Sequence, residues 1–468
     1  MLFNSFIFII LLAITFGLYY IPRLGRYQIL ILIAASLIFY SYDQPAFVLL
    51  LLLSAGINII SSYYVVYGNP KKRKALALGG VIANLCVLAF FKYSPLISYS
   101  LLDPSTSLGN FLLHIPLPIG ISFFTFEGIS LLIDVWKEKY VDNKQIVNKS
   151  LAKHAQHTLF FISFFPHLVS GPILKAHDFF PQMGQKFLRE IDWEAAVKAL
   201  ILGYFLKMVV ADNLKDFTDW MGIPTALSSV TLLYLVFAYS CQIFADFAGY
   251  SLIAIGLAKL FCYNFNINFN FPYIATSFKE FWKRWHISLS TFLMEYLYFP
   301  LGGNRKGKPR TYINLMITMT LGGLWHGASW AFALWGFTHG ALLAVERFII
   351  DKTKSEGNNA VRFIRGVVVF IVVSFLWLFF KLSYKMTVVF LTTMKDNISN
   401  DISPYDIHLI TFISLYSLPV VLYHIAYLCK GSCIWQPVKK YEYIFYGIML
   451  FLITTNSGTT SSFIYFQF

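Results

Sequence analysis

The stretch LGGLWHGASW, Leu321 to Trp330, places one titratable side chain, His326, among glycines and two tryptophans inside a long apolar run. An ionisable group is costly to bury in such a run, so its presence asks for a task. Desolvation penalises the charged form of an imidazole, and the neutral ring has one accepting nitrogen and one N–H donor. Held through its N–H by a neighbour, His326 can take a proton from a hydroxyl, which is the work of a general base. Gly322, Gly323, Gly327 and Ala328 leave room for a ligand or another helix to approach closely. The competing reading gives His326 an interhelical hydrogen bond and makes the glycines packing residues.

Other groups invite the same question. Asp246, in CQIFADFAGYS, is a second ionisable residue in an apolar segment, suited to pairing with a buried histidine or lysine or to holding a cation. Glu127, Asp134 and Asp212 lie nearer segment ends and read as structural. His339 follows His326 by thirteen residues, about 220° around a continuous helix, so on one helix the two would not share a face. His154 and His157 in HAQH have metal-compatible spacing but lack the glutamate of a zinc-protease helix, and a solvated helix face is expected there. Cys429 and Cys433 are the one close pair of cysteines and show no zinc or disulfide pattern, so no metal is expected. GGNRKGKPR, Gly302 to Arg310, is a basic glycine-rich loop that could hold the phosphates of an anionic ligand beside the preceding helix. In SGTTSSFIYFQF a polar run precedes an aromatic tail, 463–468, which is expected to dock; the Tyr465 hydroxyl is its obvious nucleophile.

These residues must be positioned by membrane-type elements. Of 468 residues, 57% are hydrophobic and 13% charged, against roughly a quarter charged in soluble domains. Apolar runs at Phe6–Tyr20, Ile29–Tyr40, Phe47–Val66, Ala75–Phe91, Ala195–Val210, Val230–Phe247, Tyr312–Ser329, Phe332–Ala344, Val367–Phe380, Ile407–Leu428 and Tyr443–Thr454 predict an all-α polytopic membrane protein. They amount to roughly ten to thirteen spans or part-spans. The first run lacks a basic flank and a small-x-small site and reads as a retained span. The net charge of +14 suggests nucleic acid only until its placement is read: the positives gather in loops. Arg23, Arg26 and GNPKKRKA alternate with the uncharged or acidic SYDQPA and SPLISYSLLDPSTSLGN, which puts the amino terminus outside. LFFISFFPHLVSGPIL, broken by Pro166, Gly171 and Pro172, is expected to be re-entrant, with its irregular backbone shielded. In Ser277–Pro300 an aromatic stripe at three- and four-residue steps predicts one amphipathic helix at the cytoplasmic surface, with Lys279, Lys283 and Arg284 off the stripe and His286 at its edge. No repeat or second soluble domain is visible, and one membrane domain, 1–468, accounts for the chain.

The blocks LPIGISFFTFEGISLLIDVW, FPHLVSGPI, GYFLKMVVADNL, FADFAGYSLIAIGLAKL, FNFPYIATSFKEFWKRWHISLSTF, YFPLGGNRKG and LGGLWHGASWAFALWGFTHG resemble the bacterial membrane-bound O-acyltransferases. The likeness is greatest to their alginate and peptidoglycan O-acetyltransferase branch, with the signature core at about 117–340. The resemblance implies a ring of roughly eleven helices around a central tunnel, entered from both faces of the bacterial inner membrane. It implies that His326 is catalytic, that His286 is the second signature residue, and that acetyl-CoA is the cytosolic acyl donor, with no permanently bound cofactor. It also implies transfer to an extracytoplasmic polysaccharide through a periplasmic SGNH-type partner, with Tyr465 as an acyl relay. On that reading Lys279, Lys283, Arg284, Arg305 and Lys306 attract the donor's phosphates, and Trp325, Gly323, Gly327, Asp246 and His339 line the tunnel. The rival classes are a proton-coupled transporter or channel using Asp246, His326 and His339, and a scaffold for which His326 is dispensable.

Overall fold

A computed structural model describes residues 1–138, 146–353, 358–429 and 439–459, which are mostly helical with no strand among them. Helices of seven or more residues are numbered here in chain order. They are α1 Phe6–Tyr19, α2 Gln28–Ser41, α3 Phe47–Tyr67, α4 Arg73–Leu101, α5 Ser107–Leu113, α6 Ile121–Lys137, α7 Leu151–Ser163, α8 Trp193–Tyr204, α9 Asp212–Thr218 and α10 Ser229–Leu260. They continue as α11 Phe278–Arg284, α12 Ile287–Leu293, α13 Lys308–His326, α14 Trp330–Thr353, α15 Asn359–Leu376, α16 Tyr384–Asp396, α17 Pro404–Leu428 and α18 Glu442–Thr455. Among the described residues, six helical stretches are long and apolar enough to cross a membrane: Pro22–Ser41, Phe47–Tyr67, Pro70–Leu101, Ser229–Leu260, Asn359–Lys381 and Pro404–Leu428. Phe6–Tyr20, Ala195–Val210 and Tyr443–Thr454 fall outside that set, the first and last lying on shorter helices, as do Tyr312–Ser329 and Phe332–Ala344. Their helices, α13 and α14, carry glycines, threonines, Asn314 and two buried histidines, which lower the apolar content.

Residues 1–199 with 253–266 form one compact unit. Its spans meet through small and amide residues, as spans do where no water drives them together. Asn58 on α3 and Asn84 on α4 exchange side-chain bonds of 3.1 and 3.0 Å, and Gly128 on α6 lies so close to Asn58 that a Cβ would meet it at 2.3 Å. Helix α6 also presents Glu127, Ser130 and Asp134 to the segment after α7. His167 Nδ1 lies 2.8 Å from Glu127, the Ala176 N–H donates to Ser130 Oγ, and His177 Nδ1 lies 2.7 Å from Asp134. The segment expected to be re-entrant does break, after Ser163 and again after Leu168, and Phe160–Ala176 is buried throughout. The solvated face expected for HAQH is not found: His154 is buried and lies 2.8 Å from Ser62 Oγ, because α7 packs on α3 there. Cys433 lies outside the described residues, as does Tyr465 with the aromatic tail 463–468.

Residues 200–252 with those from 267 onward form the second unit. After α8 the chain widens into a π-helix, Phe205–Ala211, which carries Lys207. The Lys207 ammonium lies 2.6 Å from Asp212 and 2.7 Å from Asp246, all three buried, over the Tyr250 ring. Asp246 therefore has the lysine partner that its place in an apolar segment called for. The segment after α18 is tied to the same region: Gly458 N–H donates to the Met208 carbonyl, and Asn213 Nδ2 to the Asn456 carbonyl.

Candidate active site

Helices α13 and α14 form a hairpin whose backbones touch. A Cβ on Gly323 would meet the Phe332 carbonyl at 2.2 Å, and one on Gly336 would meet the Met319 carbonyl at 2.2 Å. Gly340 lies against Met316 in the same way, four residues after Gly336, the spacing by which small residues bring helices together. The room that Gly323 offers is filled by the partner helix, and that at Gly327 by the Phe332 ring, 2.2 Å from a built Cβ.

The hairpin turn sets His326 as the last residue of α13, followed by extended backbone at Gly327. A helix carboxyl end carries partial negative charge, which favours an imidazolium over a neutral ring by about 0.3–1 kcal/mol. His326 is 2% exposed and enclosed by Trp325, Trp335 and Phe380, with ring centroids 5.1, 5.3 and 5.1 Å away. The break between α13 and α14 also changes the relation to His339. On one continuous helix the two histidines would diverge, but across the hairpin both contact Trp335, whose ring lies 5.3 Å from His326 and 4.7 Å from His339.

His286 reaches the same enclosure from a different element. The single amphipathic helix expected over Ser277–Pro300 is three pieces, α11, α12 and a π-helix at Met294–Tyr298. The first break falls at His286, whose φ of 43° and ψ of 56° are left-handed, a conformation a bulky residue adopts only where its surroundings impose it. Asn268 imposes it. The Asn268 carbonyl accepts from Ile287 N–H at 2.9 Å, and its Oδ1 accepts from Ser288 N–H and Oγ–H at 3.1 and 2.9 Å. An oxygen receiving those donors makes the His286 Nδ1, 3.2 Å away, the donor, so a neutral His286 ring keeps Nε2 as its acceptor. Asn268 Nδ2 donates in turn to Ser251 Oγ at 3.2 Å. The ring is fully buried, 4.6 Å from Phe247, 5.9 Å from Trp325 and 6.1 Å from His326. Trp285 is buried too, against Phe269 and Trp377, instead of lying at a membrane surface.

The basic residues divide. Lys279, Lys283, Arg305 and Lys306 are exposed. Arg284 is engaged internally, with Glu280 at 2.9 Å, the Asn270 carbonyl at 3.0 Å and the Tyr427 ring beneath it. Burial pushes the Glu280 carboxyl up, but Thr276 N–H and Oγ–H and then Arg284 outweigh it and hold the group below its ordinary range. Glu346 of α14 accepts from the Phe278 and Lys279 N–H groups at 2.7 and 2.9 Å, capping α11 with a negative charge. The glycine-rich loop takes its shape from Gly302, Gly303 and Gly307, with φ of 111°, 53° and 83°, values that other residues rarely hold. Asn268, Trp335, Phe380, Glu346 and Lys207 were not singled out from the sequence. Lys207, in GYFLKMVVADNL, could have been found by the reasoning applied to Asp246, since it too is a charge in an apolar run.

Helices of membrane-crossing length, enclosing a buried imidazole at a helix end and a second one in a strained turn, define a multi-pass membrane protein. The model of the membrane-bound O-acyltransferase family matches residues 82–389, and the chain belongs to that family; it is an acyltransferase. It is 37% identical over 389 residues to the "Probable alginate O-acetylase" of Azotobacter vinelandii, covering 81% of this chain and 75% of that protein. It is 35% identical over 374 residues to the peptidoglycan O-acetyltransferase of Helicobacter pylori, covering 75% and 70%. To the teichoic acid D-alanyltransferase of Bacillus subtilis it is 26% identical over 368 residues, covering 74% and 88%.

Proposed function

We propose that this chain takes acetyl groups from cytosolic acetyl-CoA and passes them across the bacterial inner membrane for O-acetylation of an alginate- or peptidoglycan-like polysaccharide. A periplasmic SGNH-type transferase would complete the transfer. The names of the relatives support the substrate class, and the observation that carries the chemistry is His326, buried at a helix carboxyl end within 6.1 Å of His286. The whole chain acts as one O-acyltransferase domain, a ring of roughly eleven helices around a tunnel, with its amino terminus outside. Lys279, Lys283, Arg305 and Lys306 attract the donor's phosphates; Arg284, already paired, contributes to the field and not as a free ligand.

His326 accepts the proton of an attacking hydroxyl as its oxygen bonds to the thioester carbonyl carbon. The C–S bond then breaks, and the CoA thiolate leaves with the proton that His326 returns. His286 orients the donor through its accepting Nε2. The hydroxyl belongs to Tyr465 in a relayed transfer, a version supported by the anchoring of Asn456–Thr459 on Asn213, Met208 and Asp216 just before the tail.

The test is CoA release from acetyl-CoA by purified protein. His326→Ala, at normal membrane abundance, is expected to lower the rate by about 10²–10⁴-fold. A wild-type rate would remove His326 from the chemistry. Tyr465→Phe keeps the ring and removes the nucleophile; unchanged acetylation of the polymer would exclude the relay while leaving the base assignment intact.

A further inference from the structure

Helix α14 holds two buried N–H donors without a partner among the described residues: Trp335 Nε1, on a ring in contact with His326, and His339 Nε2, on a ring in contact with Trp335. Trp335 is 1% exposed and His339 fully buried. An unpaired buried donor costs about 1–3 kcal/mol, and native proteins leave few of them. Two on one wall of a reaction site call for an acceptor that arrives with the substrate.

The protonation of His339 follows from its other nitrogen. Trp282 Nε1–H donates to His339 Nδ1 at 3.3 Å, so the neutral ring carries its own proton on Nε2. Phe281 stacks on the imidazole and Trp282 meets it edge-on, fixing its plane. Trp335 and His339 are four residues apart on α14 and so share a face, and from that face the Trp335 ring stands perpendicular to the His326 ring at 5.3 Å. Trp377 stacks on Trp335 and Phe380 abuts it, so the indole is held in place. The wall thus offers donors, rigidly held in an apolar enclosure, next to a proton acceptor.

We propose that His339 Nε2–H and Trp335 Nε1–H receive the carbonyl oxygen of the acyl group and stabilise the charge that forms on it. This rests on the acyl-transfer role given above to the His326 site. As the hydroxyl oxygen bonds to the carbonyl carbon, the C=O π pair moves onto oxygen. The two donors hold that oxyanion until the pair returns, the C–S bond breaks and the thiolate leaves. Fixed dipoles aimed at such a charge in a dry site are among the largest contributions an enzyme makes.

The experiment compares acetyl-CoA turnover by wild-type protein, Trp335→Phe, His339→Phe and His339→Gln. Each Phe variant is expected to lose about 10²–10³-fold in kcat, with KM for acetyl-CoA within threefold of wild type. His339→Gln keeps an N–H donor and is expected to recover at least tenfold over His339→Phe. A second readout needs no turnover. In His326→Ala protein, the carbonyl stretch of bound [1-¹³C-acetyl]-CoA should lie at lower frequency than in the His326→Ala, His339→Phe double variant. Equal kcat in wild type and both Phe variants, or equal carbonyl bands in the two bound proteins, would overturn the assignment. A KM rise with kcat intact would also overturn it, by showing a packing role. Absence of CoA release by wild-type protein would instead sink the functional reading itself.

Discussion

Asn268→Ala should separate the fold from the site, because one amide holds the strained turn on which His286 sits. Its Oδ1 accepts from Ser288 N–H, Ser288 Oγ–H and His286 Nδ1–H, and its Nδ2 donates to Ser251. Truncation strands these groups. The two serine hydroxyls can rotate to other acceptors, but the Ser288 backbone N–H and the His286 ring N–H cannot. At about 1–3 kcal/mol for each stranded group the cost is about 2–6 kcal/mol. For a unit of this size that lowers the unfolding midpoint by on the order of 10 °C. A left-handed conformation at a bulky residue itself costs about 1–3 kcal/mol to maintain, so His286 should leave it once the amide is gone. Acetyl-CoA turnover, assayed well below the new midpoint, should therefore fall at least tenfold. Asn268→Asp retains the accepting oxygens and should recover at least half of the lost midpoint. The measurements are thermal unfolding in detergent and CoA release on the same preparations. A wild-type midpoint and wild-type turnover in Asn268→Ala would refute the claim that this amide positions His286.

Lys207→Met breaks two buried ion pairs and should cost about 3–5 kcal/mol, seen as loss of folded protein in membranes; adding Asp212→Asn and Asp246→Asn should restore much of it. Gly336→Val drives a side chain into the Met319 carbonyl and should abolish the α13–α14 contact, read as a midpoint drop in detergent, whereas Gly79→Ala, with nothing within 4 Å, should leave the midpoint unchanged or slightly raised.

The helical membrane class was legible because long apolar runs have few other solutions, and His326 was legible because a charge-capable group in such a run stands out. The turn at His286 was not. Both α11 and α12 keep an aromatic face, so the three- and four-residue rhythm continues across a break of two residues. What makes the break is Asn268, eighteen positions earlier, in a stretch of alternating asparagine and phenylalanine that resembles a loop. The glycines of LGGLWHGASW were read as room, which was right, but periodicity could not say whether a ligand or a helix fills it. The partnership of His326 and Trp335 needed the hairpin, and the break that makes it is a Gly-Ala-Ser turn inside an otherwise continuous apolar stretch. Lys207 illustrates a different limit: flanked by leucine and methionine it resembled a span interior, and its two carboxylates are five and thirty-nine residues away.

The glycine contacts of α13 and α14 bear on how the enzyme can move. Where backbone meets backbone at Gly323, Gly336 and Gly340, one helix cannot slide along the other by even a residue without driving a side chain into a carbonyl. The hairpin that carries His326, Trp335 and His339 is therefore a fixed frame during turnover. A movement that admits a donor or releases a product is left to elements outside that hairpin, such as the short helix Leu378–Lys381 bearing Phe380. On the function proposed above, a slow opening step could be altered without disturbing the contact between His326 and Trp335.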